Sequence, residues 1–167
     1  MAAPEDLKDV YADEIKDLWS ANEQMSKVVK VMAGKAHDPK LKQALQKSIN
    51  DIDKHAAILK NLLSSAGEKV EQEHCKGMEG LAKEATKHIT AEAPGAGDLL
   101  DIIVLAQYQR MSHYGLAGFG TAAAYATALG MTDHAGKLHS IVSEIRKGDD
   151  YASQLARKAE TAAKAAA

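Results

Sequence analysis

DLLDIIVLAQYQRMSHYGLAGFGTAAAYATAL, residues 98–129, decides the fold. Coiled into a helix, this stretch is apolar almost all the way round, which marks it as the most buried element of a helical protein. Gly130 closes it, and Ala93-Pro94-Gly95-Ala96-Gly97 ahead of it is the clearest linker in the chain.

Working outward, a further helix is expected from Thr132 or Asp133, carrying Leu138, Ile141, Ile145, Ala152 and Leu155 on its apolar side. The alanine- and lysine-rich tail, 156–167, is expected to fray, leaving residues 1–155 as the bundle domain. Upstream, a first helix is expected from Pro4 to Gly34, with Pro4 at its start and Glu5 and Asp6 in its first turn. Its stripe is Leu7, Tyr11, Leu18, Met25, Val29 and Met32, with Glu14 and Asn22 falling inside it. Asp38 then caps a second helix with Pro39 in its first turn, ending before Gly67. Its stripe runs Leu41, Leu45, Ser48, Ile52, His55, Leu59 and Leu62, so Ser48 and His55 lie on the core side. The stretch from Glu68 to Thr90 is more polar and reads as a connection with one packed helix. Two long helices, a crossover with a short helix and two more long helices give an all-α, ferritin-like four-helix bundle.

Bulk properties narrow the function. A net charge of −2 gives no footprint for nucleic acid or an anionic membrane. No apolar run approaches a spanning helix, and the first residues lack the layout of a secretory signal. The single cysteine, Cys75, forbids an intramolecular disulfide and suits a reducing compartment, so a cytoplasmic location is expected.

Several suggestive patterns have plainer readings. Gly115, Gly118 and Gly120 lack the order and preceding strand of a dinucleotide fingerprint, and as small residues they let a neighbouring helix approach. Cys75 and His74 are adjacent on the chain and poorly placed as a nucleophile–base pair. Glu71-x-x-His74 lies in the polar connection and reads as a solvated turn. Met25, Met32, Met78 and Met111 are core filler. Tyr108, Tyr114, Phe119, Tyr125 and Trp19 are expected to line helix contacts, their polar tips finding Gln109 or Asp51. No serine nucleophile elbow occurs, and no catalytic residue is assigned.

Three segments carry a family resemblance: Asp-Glu-Ile-Lys-Asp-Leu-Trp-Ser-Ala at 13–21, Cys-Lys-Gly-Met-Glu-Gly-Leu at 75–81, and Gln-Arg-Met-Ser-His-Tyr-Gly-Leu-Ala-Gly-Phe-Gly-Thr at 109–121. With Leu129-Gly130, they make the chain resemble the bacterial ferritin-like stress proteins typified by YciE and YciF, as a diverged member. The resemblance implies a bundle, often dimeric, with carboxylates and histidines at its centre and a link to stress responses. It also exposes departures. Where the family has glutamate after Ser-Ala, this chain has Asn22. Where it has His and Glu three apart, here stand Ser48 and Asp51. Glu-His-Tyr-Glu becomes Ser112-His113-Tyr114-Gly115, and paired glutamates become Glu144 and Ile145.

A di-metal bundle needs several inward carboxylates against about four positive charges. Neutral residues at Asn22, Ser48, Ser112, Gly115 and Ile145 are what a metal-free centre should carry, since bare buried carboxylates are costly. No cofactor is therefore expected. Asp51, His55, His113 and Glu144 remain as candidates for one zinc, iron or manganese ion in a remodelled metal-binding or oxidase site, and otherwise as hydrogen-bonded core groups. The leading expectation is a non-catalytic protein acting through association as a homodimer, because the apolar fourth helix has little chain to cover it. A third reading is a small-ligand cavity in the vacated space, with Gly115 and Ser112 at its floor.

Overall fold

The computed structural model describes residues 3–166, and helices account for most of them. They are α1 (Leu7–Lys35), α2 (Pro39–Ser65), α3 (Lys76–Ile89), α4 (Asp98–Ala128) and α5 (Thr132–Ala165), with no strand among the described residues. Met1, Ala2 and Ala167 lie outside them.

Helix starts follow capping chemistry. Asp6, not Pro4, begins α1: its carboxylate accepts the Asp9 N–H at 2.9 Å, while Asp9 reaches back to the Glu5 N–H at 2.9 Å. A side chain that satisfies orphan donors outweighs the mere preorganisation of a proline. Asp38 caps α2 through the Lys40 N–H, with Pro39 just inside, as its sequence implies. Gly67 ends α2 in the left-handed region at φ +74°, where a side chain would be strained. Cys75 caps α3: its Sγ accepts the Met78 N–H at 3.3 Å, and its own N–H goes to Ser20 Oγ at 3.0 Å.

The expected fraying of the tail does not occur. Helix α5 continues to Ala165, Ala159 is buried, and Lys158 reaches Asp38 at 2.7 Å. Alanine is the best helix former, and the start of α2 gives these last turns a surface to cover.

Helices α1 and α2 form one hairpin and α4 and α5 the other; α3, carried on the crossover, lies over the α1–α4 seam. Contacts Ser26–Asp53, Asp17–Tyr114, His55–Glu144 and Gln109–Asp149 join successive neighbours round the bundle. Further along, His37 meets Asp101 and Asp38 meets Lys158, so neighbours run antiparallel. This is the wiring of a four-helix bundle with one long crossover, as in ferritin-like folds.

Two features lock the frame. Asp101 is buried to 1% exposure and accepts the N–H groups of His37 and Asp38, each at 2.8 Å, so one carboxylate fixes the α1–α2 connection. At Gly118, a Cβ would lie 2.5 Å from Leu18 Cδ2, so the Leu18 side chain of α1 packs directly onto the α4 backbone there. The other fourth-helix glycines do not serve this purpose. A Cβ on Gly115 would meet nothing nearer than 3.7 Å, and one on Gly120 nothing within 4 Å. The second close approach is instead at Gly77 of α3, against the Tyr114 ring.

Candidate functional site

Apolar clusters fill the two ends of the bundle. One holds Met32, Leu41, Met78 and Leu105, and the other Tyr11, Leu59, Phe119 and Leu138. Met25, Met32, Met78 and Met111 are all buried core, as their spacing implies. The layer between the ends contains the positions where the family resemblance places metal ligands.

That layer is built from neutral groups with local partners. Asn22 is buried and turns its amide back onto the Leu18 carbonyl of its own helix at 2.8 Å. Ser48 and Tyr108 share a hydrogen bond of 3.0 Å between α2 and α4. Ser112 is buried, Gly115 presents no side chain, and Ile145 packs a methyl toward Gly115.

The four remaining candidates do not converge. His55 is buried and donates from Nε2 to Glu144 Oε2 at 2.9 Å, joining α2 to α5. Its ring stands edge-on to Phe119, centroids 5.8 Å apart. Asp51 bonds Lys47, one turn away on its own helix. His113 leaves the centre entirely: it is exposed and donates to Asp149 Oδ2 at 2.9 Å on the outer α4–α5 surface. Two of the four residues are thus brought together, a third stands nearby with another partner, and the fourth is elsewhere. Among the described residues, no three His, Cys, Asp or Glu side chains are grouped so as to hold a metal ion. A di-metal cluster does not fit this donor set, because the centre offers one His–Glu pair and one lysine-bound carboxylate.

What the centre does contain is space. A cavity of about 640 Å³ runs between α2 and α5, the least intimately packed of the neighbouring helix pairs. Its inner wall is apolar: Leu18, Met25, Leu45, Met111, Phe119 and Leu155 contribute, and α3 adds Met78. Ser112 and Gly115 line its α4 side, and Asn22, Ser48, Asp51, His55, Glu144 and Ile145 border it as well. Every position read as a former ligand site is therefore on the wall of one cavity. At the mouth stand Lys40 and Lys47 of α2 and Lys147 and Tyr151 of α5. None of these four stands out in the sequence as a site residue. The available signal was the stripe 40, 44, 47, 48, 51 and 55, one face of α2 at helical spacing.

Polar tips of the other aromatics find partners that the sequence did not indicate. Tyr114 donates to Asp17 Oδ2 at 3.2 Å and takes the Cys75 thiol at 3.0 Å. Burial pushes the Cys75 thiol above its usual range, consistent with a packed, unreactive group. Trp19 bonds Glu23 at 2.6 Å. His74 is exposed and paired with Glu79, as expected of a solvated turn.

The expected reason for dimer formation is also altered. Helix α4 is covered by α1, α3 and α5, and the large exposed apolar side chains, Leu7, Val31, Val70, Leu99 and Tyr151, come from separate segments. Among the described residues, no helix is long and apolar enough to cross a membrane.

Comparison with known proteins gives a family and two folds. The family model described as Domain of unknown function (DUF892) matches residues 6–166. Protein YciF of Escherichia coli (strain K12) is 27% identical over 151 residues, covering 90% of each chain. The crystal structure of the E. coli stress protein YciF superposes with a TM-score of 0.88 at 24% identity, covering 95% of this chain and 99% of that one. YcfI of Rhodopseudomonas palustris superposes with a TM-score of 0.84 at 25% identity, covering 89% and 94%.

Proposed function

This chain belongs to the family described as Domain of unknown function (DUF892), and from that premise we propose that it is a metal-free, non-catalytic member that works by non-covalent association. One observation carries the reading: each candidate ligand is engaged elsewhere or replaced, and the space between them is walled mainly by apolar side chains. Two dications in that space would need several carboxylates that this chain does not place there. Similarity to Protein YciF of E. coli, described as a stress protein, supports a stress-associated role, and the lone Cys75 supports a cytoplasmic one. Self-association as a homodimer belongs to the same proposal, and light scattering at micromolar concentration tests it, a clean monomer removing it.

Elemental analysis of protein made in iron-supplemented medium and purified without chelators tests the metal-free reading. Substoichiometric iron, manganese and zinc, unaffected by His55→Ala or Glu144→Gln, is the expected result. One or more ions per chain, lost in those variants, would replace it with a metal-binding or oxidase function.

A further inference from the structure

The cavity has a shape, a lining and a charge pattern, and together they specify a guest. Its volume of about 640 Å³ lies within the range of roughly 300–1,000 Å³ usual for small-ligand sites. It is elongated. On α2 it is lined from Leu41 to His55, a rise of roughly 20 Å at helical pitch. On α5 it is lined from Leu155 back to Glu144, antiparallel to α2. A slot between two helices, walled by Leu, Met, Ile and Phe, accepts a flexible chain better than a compact polar metabolite.

The mouth decides the head group. Five charged side chains border the cavity: Lys40, Lys47, Asp51, Glu144 and Lys147. Both carboxylates are already engaged, Asp51 by Lys47 and Glu144 by His55. Lys40, at the end of the slot where α2 begins, and Lys147, near the other end and one turn from Glu144, are both exposed, and among the described residues neither has an ion-pair partner within 4.0 Å. The uncommitted charge at the opening is therefore positive. Tyr151, also at the mouth and partly exposed, adds a hydroxyl.

The geometry points to a binding site for an amphiphile with one aliphatic chain and an anionic head, the class of a free fatty acid. The chain lies in the slot between α2 and α5, and the head meets Lys147, with the Tyr151 hydroxyl one turn further along the same face of α5. No bond is made or broken, and the carboxylate is held by charge while the chain is held by exclusion from water. The inference rests on the metal-free reading, since ions and their ligands would occupy the same space.

Calorimetric titration of the full chain tests it, using laurate, lauryl alcohol and dodecyltrimethylammonium below their micelle concentrations. The same preparation is first assayed for metal, so that stoichiometric metal defeats the metal-free reading, whereas metal-free protein that ignores laurate defeats this inference alone. One laurate per chain is expected, with the alcohol weaker and the cation weakest. Lys147→Glu should weaken laurate about tenfold and leave the alcohol unchanged, as befits an exposed charge contact. Gly115→Leu should abolish binding of both by filling the slot, since a Cβ there meets nothing nearer than 3.7 Å. If that variant does not fold, Ala44→Phe, also on the cavity wall, replaces it. Equal affinity for all three amphiphiles, an indifferent charge-reversal variant, or undiminished binding in the filled variant would overturn the assignment.

Discussion

His55 Nε2 and Glu144 Oε2 stand 2.9 Å apart across the α2–α5 groove, one buried and the other half-exposed. That bond joins the two least intimately packed neighbouring helices, and it is the one histidine–carboxylate pair at the cavity. Water reaches Glu144, so the pair should be only modestly stabilising. A double-mutant cycle with His55→Gln and Glu144→Gln should give a coupling of about 1 kcal/mol or less by urea unfolding. A much larger coupling, dependent on added metal, would show that the pair is part of a metal site.

Gly118 and Gly120 should respond oppositely to alanine. At Gly118 the new methyl would lie 2.5 Å from Leu18 Cδ2 and 3.1 Å from Glu14 Oε1, so the fully buried Leu18 side chain must shift within a packed core. The overpacking cost of about 1–3 kcal/mol should exceed the gain in helix propensity, leaving Gly118→Ala less stable. At Gly120 nothing lies within 4 Å, and Gly120→Ala should gain up to about 1 kcal/mol. Thermal unfolding of the two variants distinguishes the positions, and equal effects would contradict the packing described for Gly118.

Asp101 should be among the costliest polar positions to change. Asp101→Ala leaves the His37 and Asp38 N–H groups without their acceptor and should cost about 2–4 kcal/mol in urea unfolding. A loss below about 0.5 kcal/mol would mean that water replaces the carboxylate freely.

Stability should fall on mild acidification, and His134 is the reason. Its ring is bonded on both nitrogens: Ser65 spends its hydroxyl proton on the Leu62 carbonyl and so accepts from Nε2, leaving Tyr11 to donate to Nδ1. Burial holds this imidazole below its ordinary value of 6.5, with Asp133 opposing and Lys137 assisting. The unfolded chain therefore takes up the proton first as pH falls, and folding stability is lost from about pH 6.5 downward. Melting temperature should decline between pH 7.5 and 5.5, and His134→Gln should flatten the decline. An unchanged slope in that variant would place the sensitivity elsewhere.

Much of the fold was legible because it rests on local rules. Asp38 before Pro39, Gly67 after α2 and the Pro94–Gly97 linker announce helix ends through chemistry that needs no neighbours. Asp6 and the C-terminal tail were misread because their structure depends on reciprocal or distant partners, Asp9 in one case and Asp38 in the other. The site was legible in part for the same reason. Helical spacing puts Ser48 and His55 on the inner face, and both border the cavity. It cannot tell that His113, four residues after Gln109, turns outward with it to Asp149. Nor can it reveal an empty volume, which is a property of two helices held apart rather than of any one residue.

The account turns on what occupies the space between Asn22, His55, Ser112 and Gly115. Anomalous diffraction from crystals grown with excess ferrous or manganous ion reads that space directly. The account predicts no anomalous peak inside the four long helices. Two peaks about 3.5–4 Å apart, bridged by carboxylates, would contradict it.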